Sequence, residues 1–124
     1  MQFADPLING NNNVEMARDA LHDKEAYQII GGFLSPVCDA YGKSGLIESR
    51  YRLEMCRLAV QDSDWISVDG WESEQSQYQR TIEVLGSLQA RLSSRFPSVQ
   101  VMFLAGADLV QSFRVPGLWT ADDV

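Results

Sequence analysis

The amino-acid sequence predicts an α/β domain in which helices cover both faces of a parallel sheet. One observation is the order of the elements, because segments with helical periodicity alternate with short apolar runs. Another is that two of these apolar runs end in glycine-containing polar loops, at residues 35–43 and 106–108. Ligands of such sheets bind in the crevice beyond the carboxyl ends of the strands. These loops are therefore the first candidates for a functional site.

The first half of the chain is predicted to hold two helices and one strand. Val14 and Leu21 share one side of a helical pattern, and Asn13 is the predicted N-cap. Residues 27–34 end in an apolar run and are predicted as a strand. Residues 48–60 are predicted as a helix whose apolar face holds Tyr51, Met55, Leu58 and Ala59.

The second half of the chain continues the alternation. Residues 65–69 alternate apolar and polar side chains and are predicted as a strand. Residues 73–92 are predicted as the longest helix, with one apolar side formed by Tyr78, Ile82, Leu85, Leu88 and Leu92. Residues 99–105 are predicted as a third strand, and residues 108–113 as the start of another helix.

The first 13 residues differ in character from the rest of the chain. They contain Asp5-Pro6 and Asn9-Gly10, which are typical of turns and caps and do not form a convincing strand. The first strand of a doubly wound sheet lies at its centre. We therefore expect residues 1–13 to be a divergent segment, and residues 14–124 to be a partial domain that lacks the first strand and its C-terminal part.

The composition excludes several classes of protein. With 124 residues, 45% hydrophobic and 22% charged, the chain has the make-up of one modest globular domain. Its formal charge of −7 argues against a nucleic-acid partner, which needs a basic face. No apolar run approaches the roughly 20 residues of a membrane span, so no membrane partner is expected. Cys38 and Cys56 are predicted to be free thiols in a reducing compartment.

The loop after the first predicted strand carries an aromatic ring and a cation, Tyr41 and Lys43. A lysine point charge suits a phosphate group, and a tyrosine can stack or donate a hydrogen bond. The alternative is an ordinary strand-exit loop with a solvated lysine.

Two further candidates follow the second predicted strand. Tyr78 and Thr81 are three residues apart, which places them on one side of the predicted helix. They either face a ligand above the sheet or simply pack. In the turn before them, Glu72 is interpreted as an acid that favours the helix N-terminus, and Trp71 as an anchor of the turn.

The last candidates lie near the third predicted strand. Gly106 would let the backbone approach a ligand, and Asp108 would accept hydrogen bonds from ribose hydroxyls; alternatively, Asp108 caps a helix. Trp119, in the loop that begins at Pro116, offers a stacking surface for an aromatic base, or packs. The one histidine, His22, is typical of a solvated helix end, so we predict no metal-ligating set and no catalytic nucleophile or base.

Taken together, these segments resemble the eukaryotic-type nicotinamide/nicotinic acid mononucleotide adenylyltransferases. The resemblance covers roughly residues 14–124, and four segments in the same order carry it: residues 32–47, 51–55, 68–73 with 79–81, and 106–109 continuing to 113–119. It implies a Rossmann-like nucleotidyltransferase sheet. It also implies an enzyme of NAD biosynthesis that joins ATP to nicotinamide or nicotinic acid mononucleotide, releases pyrophosphate and uses Mg²⁺.

The resemblance assigns roles to residues of this chain. The positions that match contacts to the pyridine nucleotide are Tyr41, Lys43, Tyr78, Thr81, Leu118 and Trp119. Tyr78 departs from the family, which often has a stacking tryptophan there. Gly106 and Asp108 match contacts to the nucleotide ribose. No catalytic residue is carried over.

Two phosphate-binding motifs of the family have no match. Residues 1–13 do not contain the Gly-Ser-Phe-Asn-Pro type of loop with its histidine, and the closing Ser-Ser/Thr-x-x-Arg motif would lie beyond Val124. We therefore expect this chain to be inactive as a truncated enzyme. The alternative is a non-catalytic pyridine-nucleotide-binding or interaction module that associates with full-length subunits. A nuclear or cytoplasmic location is expected, and homo-oligomer formation and the choice between the two mononucleotides are left open.

Overall fold

The computed structural model describes residues 10–24, 27–42 and 44–121, with the side chains of residues 10–13 and 41 outside this description. It has the predicted α/β class. Its elements are α1 (Gly10–Asp23), β1 (Gly32–Leu34), a 3-10 turn (Asp39–Tyr41), α2 (Ser49–Val60), β2 (Ile66–Val68), α3 (Thr81–Ser93) and α4 (Ala107–Ser112). The chain divides into two compact units between Tyr78 and Gln79, here called the first and second units.

The sheet of the first unit consists of β1 and β2, paired in parallel with Gly32 opposite Ile66 and Leu34 opposite Val68. The ladder extends at both ends, because Gly32 N donates to Trp65 O at 3.0 Å and Asp69 N donates to Leu34 O at 2.8 Å. A parallel pair needs a long crossover connection. Here α2 lies within that connection and contacts β2.

The indole of Trp65 joins α1 to the start of β2. Trp65 Nε1 donates to Glu15 Oε1 at 3.0 Å, and the Arg18 guanidinium lies 4.4 Å from the centre of the indole ring. The indole also lies against Gly32, where an added Cβ would come within 3.0 Å of a ring carbon. Gly32 therefore allows a close approach that any other residue would disturb.

Helix α1 begins at Gly10, which precedes the predicted N-cap Asn13. The prediction was wrong because asparagine is only mildly unfavourable inside a helix, so a cap residue in the sequence does not oblige the helix to start there. The remainder of the predicted divergent segment, residues 1–9, lies outside the described residues. No helix in the described part of the chain is both long enough and apolar enough to cross a membrane.

Helix α2 begins at Ser49, one residue later than predicted, and buries a different face. Tyr51 and Leu58, predicted as core, are 50% and 55% exposed. The face that is buried instead consists of Arg52, Leu53, Cys56 and Val60. Both faces carry apolar residues at helical spacing, so periodicity alone does not decide which one meets the sheet.

Two predicted elements of the second unit differ from the structure. Residues 99–105 form no strand, because an apolar run needs a hydrogen-bonding neighbour and the described residues give it none. Instead, the side-chain amide of Gln89 accepts from Val101 N at 2.8 Å and donates to Val99 O at 3.0 Å. The predicted helix 73–92 starts only at Thr81, since the Glu83 carboxylate accepts from Arg80 N at 2.8 Å and fixes the first turn there.

As a result, Tyr78 precedes α3 and does not share its first turns with Thr81. Helix α3 has 13 residues and is not the longest helix, since α1 has 14. The predicted start of a helix at 108–113 corresponds to α4, which begins one residue earlier.

Candidate functional site

Buried polar groups gather where β1 and β2 end. The Ser35 hydroxyl, just after β1, donates to Glu72 Oε2 at 2.7 Å. Asp69, just after β2, and Glu72 are both buried, and Glu72 is only 5% exposed. We call Ser35, Asp69 and Glu72 the strand-end cluster. Polar groups at the carboxyl ends of parallel strands occupy the place where open α/β sheets bind ligands.

The two carboxylates of this cluster influence each other. Burial raises the pKa of Glu72 above its ordinary value, because the charged form loses contact with water. The Ser35 hydroxyl opposes this effect by donating to the carboxylate, while the nearby Asp69 adds to it by repulsion. Glu72 therefore holds its proton at higher pH than an exposed glutamate does.

A buried arginine lies beside the cluster. Arg52, on the buried face of α2, is 8% exposed. Its Nη1 donates to Val37 O and its Nε to Ile47 O, each at 2.6 Å, and its Nη2 donates to Asp39 Oδ1 at 3.1 Å. One guanidinium thus bonds both the start and the end of the loop between β1 and α2.

Asp39 completes this arrangement. Its Oδ1 accepts from Ser49 N at 2.7 Å, and its Oδ2 accepts from the Ser49 hydroxyl at 3.0 Å. Desolvation acts to raise the pKa of Asp39, but the bonds from Ser49 and the Arg52 guanidinium together outweigh it and lower that pKa. Asp39 therefore satisfies a backbone N–H of the first turn of α2 although it is ten residues away in sequence.

Of the predicted site residues in the first unit, the structure describes Tyr78 in full and Tyr41 only in its backbone. Tyr41 ends the 3-10 turn that Asp39 begins, and its side chain lies outside the described set, as does Lys43. Gly42 follows with φ of 70°, a left-handed conformation that favours glycine. Tyr78, at the end of this unit, is exposed.

In the second unit, the predicted residues lie around α3 and α4. Thr81 is the first residue of α3, Gly106 precedes α4, and Asp108 is exposed in the first turn of α4. An added Cβ at Gly106 would meet nothing within 4 Å, so the space beside this glycine is open. These placements leave room for the predicted ribose contacts, which remain a prediction.

Trp119 is held against the end of α4. Its Nε1 donates to Ser112 Oγ at 2.9 Å, and its ring meets Phe113 edge-to-face with centroids 5.0 Å apart. Leu118, next to it, is exposed. In this structure Trp119 therefore packs against Ser112 and Phe113. Its stacking on a ligand stays a prediction.

The sequence interpretation missed Arg52 and understated Glu72. A charged residue within an amphipathic helix is normally placed on the solvated face, and Glu72 had been interpreted as a helix-favouring acid. The one available signal was the resemblance itself, since segments 51–55 and 68–73 contain both residues.

A protein-built metal site is not found in the described part of the chain, which has no group of three or more His, Cys, Asp or Glu side chains able to hold an ion. In phosphoryl-transfer enzymes, Mg²⁺ is usually held by one or two carboxylates together with the substrate phosphates. A Mg²⁺ site of that kind would depend on bound substrate phosphates as well as on the protein.

The known proteins to which this chain is similar carry the same enzyme name. The chain is 44% identical to the nicotinamide/nicotinic acid mononucleotide adenylyltransferase of Arabidopsis thaliana over 126 residues, covering 98% of this chain and 52% of that protein. The protein of the same name from Oryza sativa subsp. japonica is 41% identical, covering 89% of this chain and 45% of that protein. Nicotinamide/nicotinic acid mononucleotide adenylyltransferase 1 of Saccharomyces cerevisiae is 39% identical over 89% of this chain. No protein-family model matches the chain.

The chain spans about half the length of the two plant relatives and 30% of the yeast one. The identity nevertheless extends over most of the chain itself, which confirms the resemblance predicted from the four segments. Over most of its own length, this chain is a homologue of the eukaryotic nicotinamide/nicotinic acid mononucleotide adenylyltransferases.

Proposed function

We propose that this chain provides the mononucleotide-binding side of an adenylyltransferase of NAD biosynthesis. The reaction joins nicotinamide or nicotinic acid mononucleotide to ATP and releases pyrophosphate. The observation that carries the proposal is the 44% identity to a protein of that name across 98% of the chain. That span includes every position assigned to nucleotide contacts by the resemblance.

The proposed fold is a Rossmann-like sheet with helices on both faces. The parallel pair β1–β2, with α2 in its crossover, is one βαβ unit of such a sheet. Its strand ends support a ligand site at residues 35–42 and 69–78, because this is the edge at which doubly wound sheets bind nucleotides.

The residue roles proposed here follow the resemblance to the adenylyltransferases, and the side-chain chemistry suits each of them. Lys43 would pair with the mononucleotide phosphate, and Tyr41 and Thr81 would contact the same nucleotide. The pyridine ring would meet Tyr78, Leu118 and Trp119, of which the aromatic residues offer stacking faces. Gly106 and Asp108 would bind ribose, with the exposed Asp108 carboxylate accepting from hydroxyl groups.

In the proposed reaction, a phosphate oxygen of the mononucleotide attacks the α-phosphorus of ATP, and the bond to the departing pyrophosphate breaks. Catalysis of such a step depends mainly on positioning the two reactants and neutralising their charge. Bound Mg²⁺ would supply charge neutralisation. The role proposed for the residues named above is to hold the pyridine nucleotide.

The test combines binding and turnover. Titration calorimetry with nicotinamide mononucleotide should show saturable binding that Lys43→Ala weakens, because the phosphate loses a charge-assisted partner. A parallel assay measures NAD formed from ATP, Mg²⁺ and mononucleotide. Absence of mononucleotide binding would overturn the proposal, while binding without NAD formation would favour the alternative of a non-catalytic pyridine-nucleotide-binding module.

A further inference from the structure

We propose that Arg52 is a positioning residue for mononucleotide binding, which it serves by fixing the loop between β1 and α2 that contains Tyr41. This inference rests on the proposed function, because it assigns to Arg52 the task of holding a loop that would contact the ligand. Arg52 itself acts through the loop backbone and through Asp39.

The hydrogen bonds of Arg52 join the two ends of this loop. Val37 O lies before the 3-10 turn and Ile47 O lies after it, and both accept from the guanidinium at 2.6 Å. A flexible loop loses conformational freedom when its ends are held together. A rigid planar fork with several donors can hold both ends at once, which a lysine ammonium cannot do with the same geometry.

Asp39 extends the effect of Arg52 to the turn. The Asp39 carboxylate accepts from Arg52 Nη2 at 3.1 Å and from both the backbone and the hydroxyl of Ser49. Asp39 is the first residue of the turn that Tyr41 ends. Fixing Asp39 therefore fixes the backbone from which the Tyr41 side chain starts.

Arg52 is buried on α2, where a helix arginine is normally exposed. The side chain of Arg57 on the same helix is 59% exposed, whereas that of Arg52 is 10% exposed. Replacing a buried charge with an apolar side chain of similar volume is often neutral or stabilising. Since an apolar residue would fill the same space, what the arginine adds is its three directed bonds to the loop.

The experiment compares Arg52→Met with Arg57→Met in the full chain. Both changes remove one arginine from α2, but Arg57 contacts only an exposed carboxylate, that of Glu54 at 3.8 Å, among the ion pairs described. Titrations with nicotinamide mononucleotide and, separately, with ATP give two dissociation constants for each variant. Thermal melts and hydrogen exchange at the Gly42 and Ser49 amides report on stability and on the loop.

We expect Arg52→Met to weaken mononucleotide binding roughly tenfold, to leave ATP binding unchanged and to speed exchange at Gly42 and Ser49. Arg57→Met should match the wild type in all of these. Arg52→Lys should fall between them, because it keeps the charge but not the fork. If Arg52→Met gives no cooperative melt, the same comparison is read from Arg52→Lys.

Three outcomes would overturn the inference. If a folded Arg52 variant binds mononucleotide with wild-type affinity, the positioning role of Arg52 is wrong, but the proposed function is unaffected. Equal losses for mononucleotide and ATP, or loss of folding in both Arg52 variants, would show a purely structural role. A wild-type chain that binds no mononucleotide would overturn the proposed function, and this inference with it.

Discussion

The two units of the chain show similar apolar patterns in sequence but bury them very differently. In the first unit, Leu34, Cys38 and Ile66 are almost completely buried around the β1–β2 pair. In the described part of the second unit, Val84 is the one buried hydrophobic residue, and Phe96, Met102, Val110 and Val115 are about half exposed. The comparison teaches that burial follows strand pairing and not apolar sequence alone.

The reason lies in backbone hydrogen bonding. In the first unit, β1 and β2 satisfy each other's N–H and C=O groups, and α2 can then pack its buried face against β2. In the second unit, Val99 N donates to Phe96 O at 3.0 Å, while Val99 O and Val101 N are bonded by a single side chain, that of Gln89. One amide replaces a ladder at two positions only, so it cannot organise a core around it.

Truncation of a core leucine should give the largest contrast between the units. Leu34→Ala removes a side chain that is 2% exposed and should destabilise the chain by about 2–5 kcal/mol, through lost transfer energy and an added cavity. Met102→Ala, at a half-exposed position of the second unit, should change stability by only about 0.5 kcal/mol. Urea unfolding measures both. Equal midpoint shifts would contradict the difference in burial between the two positions.

Adding a methyl group to a glycine should act in opposite directions in the two units. Gly32→Ala places a Cβ 3.0 Å from the Trp65 ring and should cost about 1–3 kcal/mol. Gly86→Ala lies within α3, where an added Cβ meets nothing within 4 Å, and should stabilise by about 1 kcal/mol. Thermal melting of the two variants decides the matter. A neutral Gly32→Ala would mean that the indole moves aside freely.

The buried Glu72 should make stability depend on pH. Its pKa is raised in the folded chain, so the folded state binds the proton more tightly than the unfolded state. Stability should therefore fall as pH rises from the unfolded value of about 4.3 through the raised folded pKa. Glu72→Gln should remove this fall, and the exposed Glu74→Gln in the same turn should retain it. Unchanged pH dependence in Glu72→Gln would assign the effect to another group.

The smallest effect should come from Asp39, whose pKa is shifted the other way. Because the folded pKa is lowered, its contribution to stability is present above the unfolded value of about 3.9 and disappears as pH falls through the folded pKa. Asp39→Asn should therefore reduce the melting temperature slightly at neutral pH and not at all in strong acid. A loss of the same size at both pH values would show that the shape of the side chain matters and its charge does not.

Local sequence signals predicted part of this fold. The limits of α2 and the position of β2 follow from periodicity and flanking polar residues, since both elements pack within the first unit. The predicted strand at residues 27–34 was too long, because only Gly32–Leu34 faces a partner strand. The strand at 99–105 failed for the same reason, since pairing depends on residues remote in sequence.

The site was predictable only in outline. The position of residues 35–43 after a predicted strand made them candidates for the site, and in the structure this loop does contact buried polar side chains. The roles of Arg52 and Glu72 could not be derived from spacing, because a buried charge is recognised by its partners. The partners of Arg52 are two backbone carbonyls and Asp39, and the partner of Glu72 is a serine 37 residues away. The resemblance identified the segments that contain these residues without showing what they do.

The parallel pairing of β1 with β2 has a consequence for the order in which this chain folds. Gly32 meets Ile66 only after the whole of α2 has been made, so among the described residues β1 has no sheet partner until then. Contacts between residues so far apart form slowly, because the intervening chain must first be closed. A nascent chain stopped before residue 66 would leave the Leu34 side chain exposed to water and the carbonyl that later accepts from Asp69 unpaired. The β1–β2 core of the first unit can therefore form only after α2 and β2 have been synthesised.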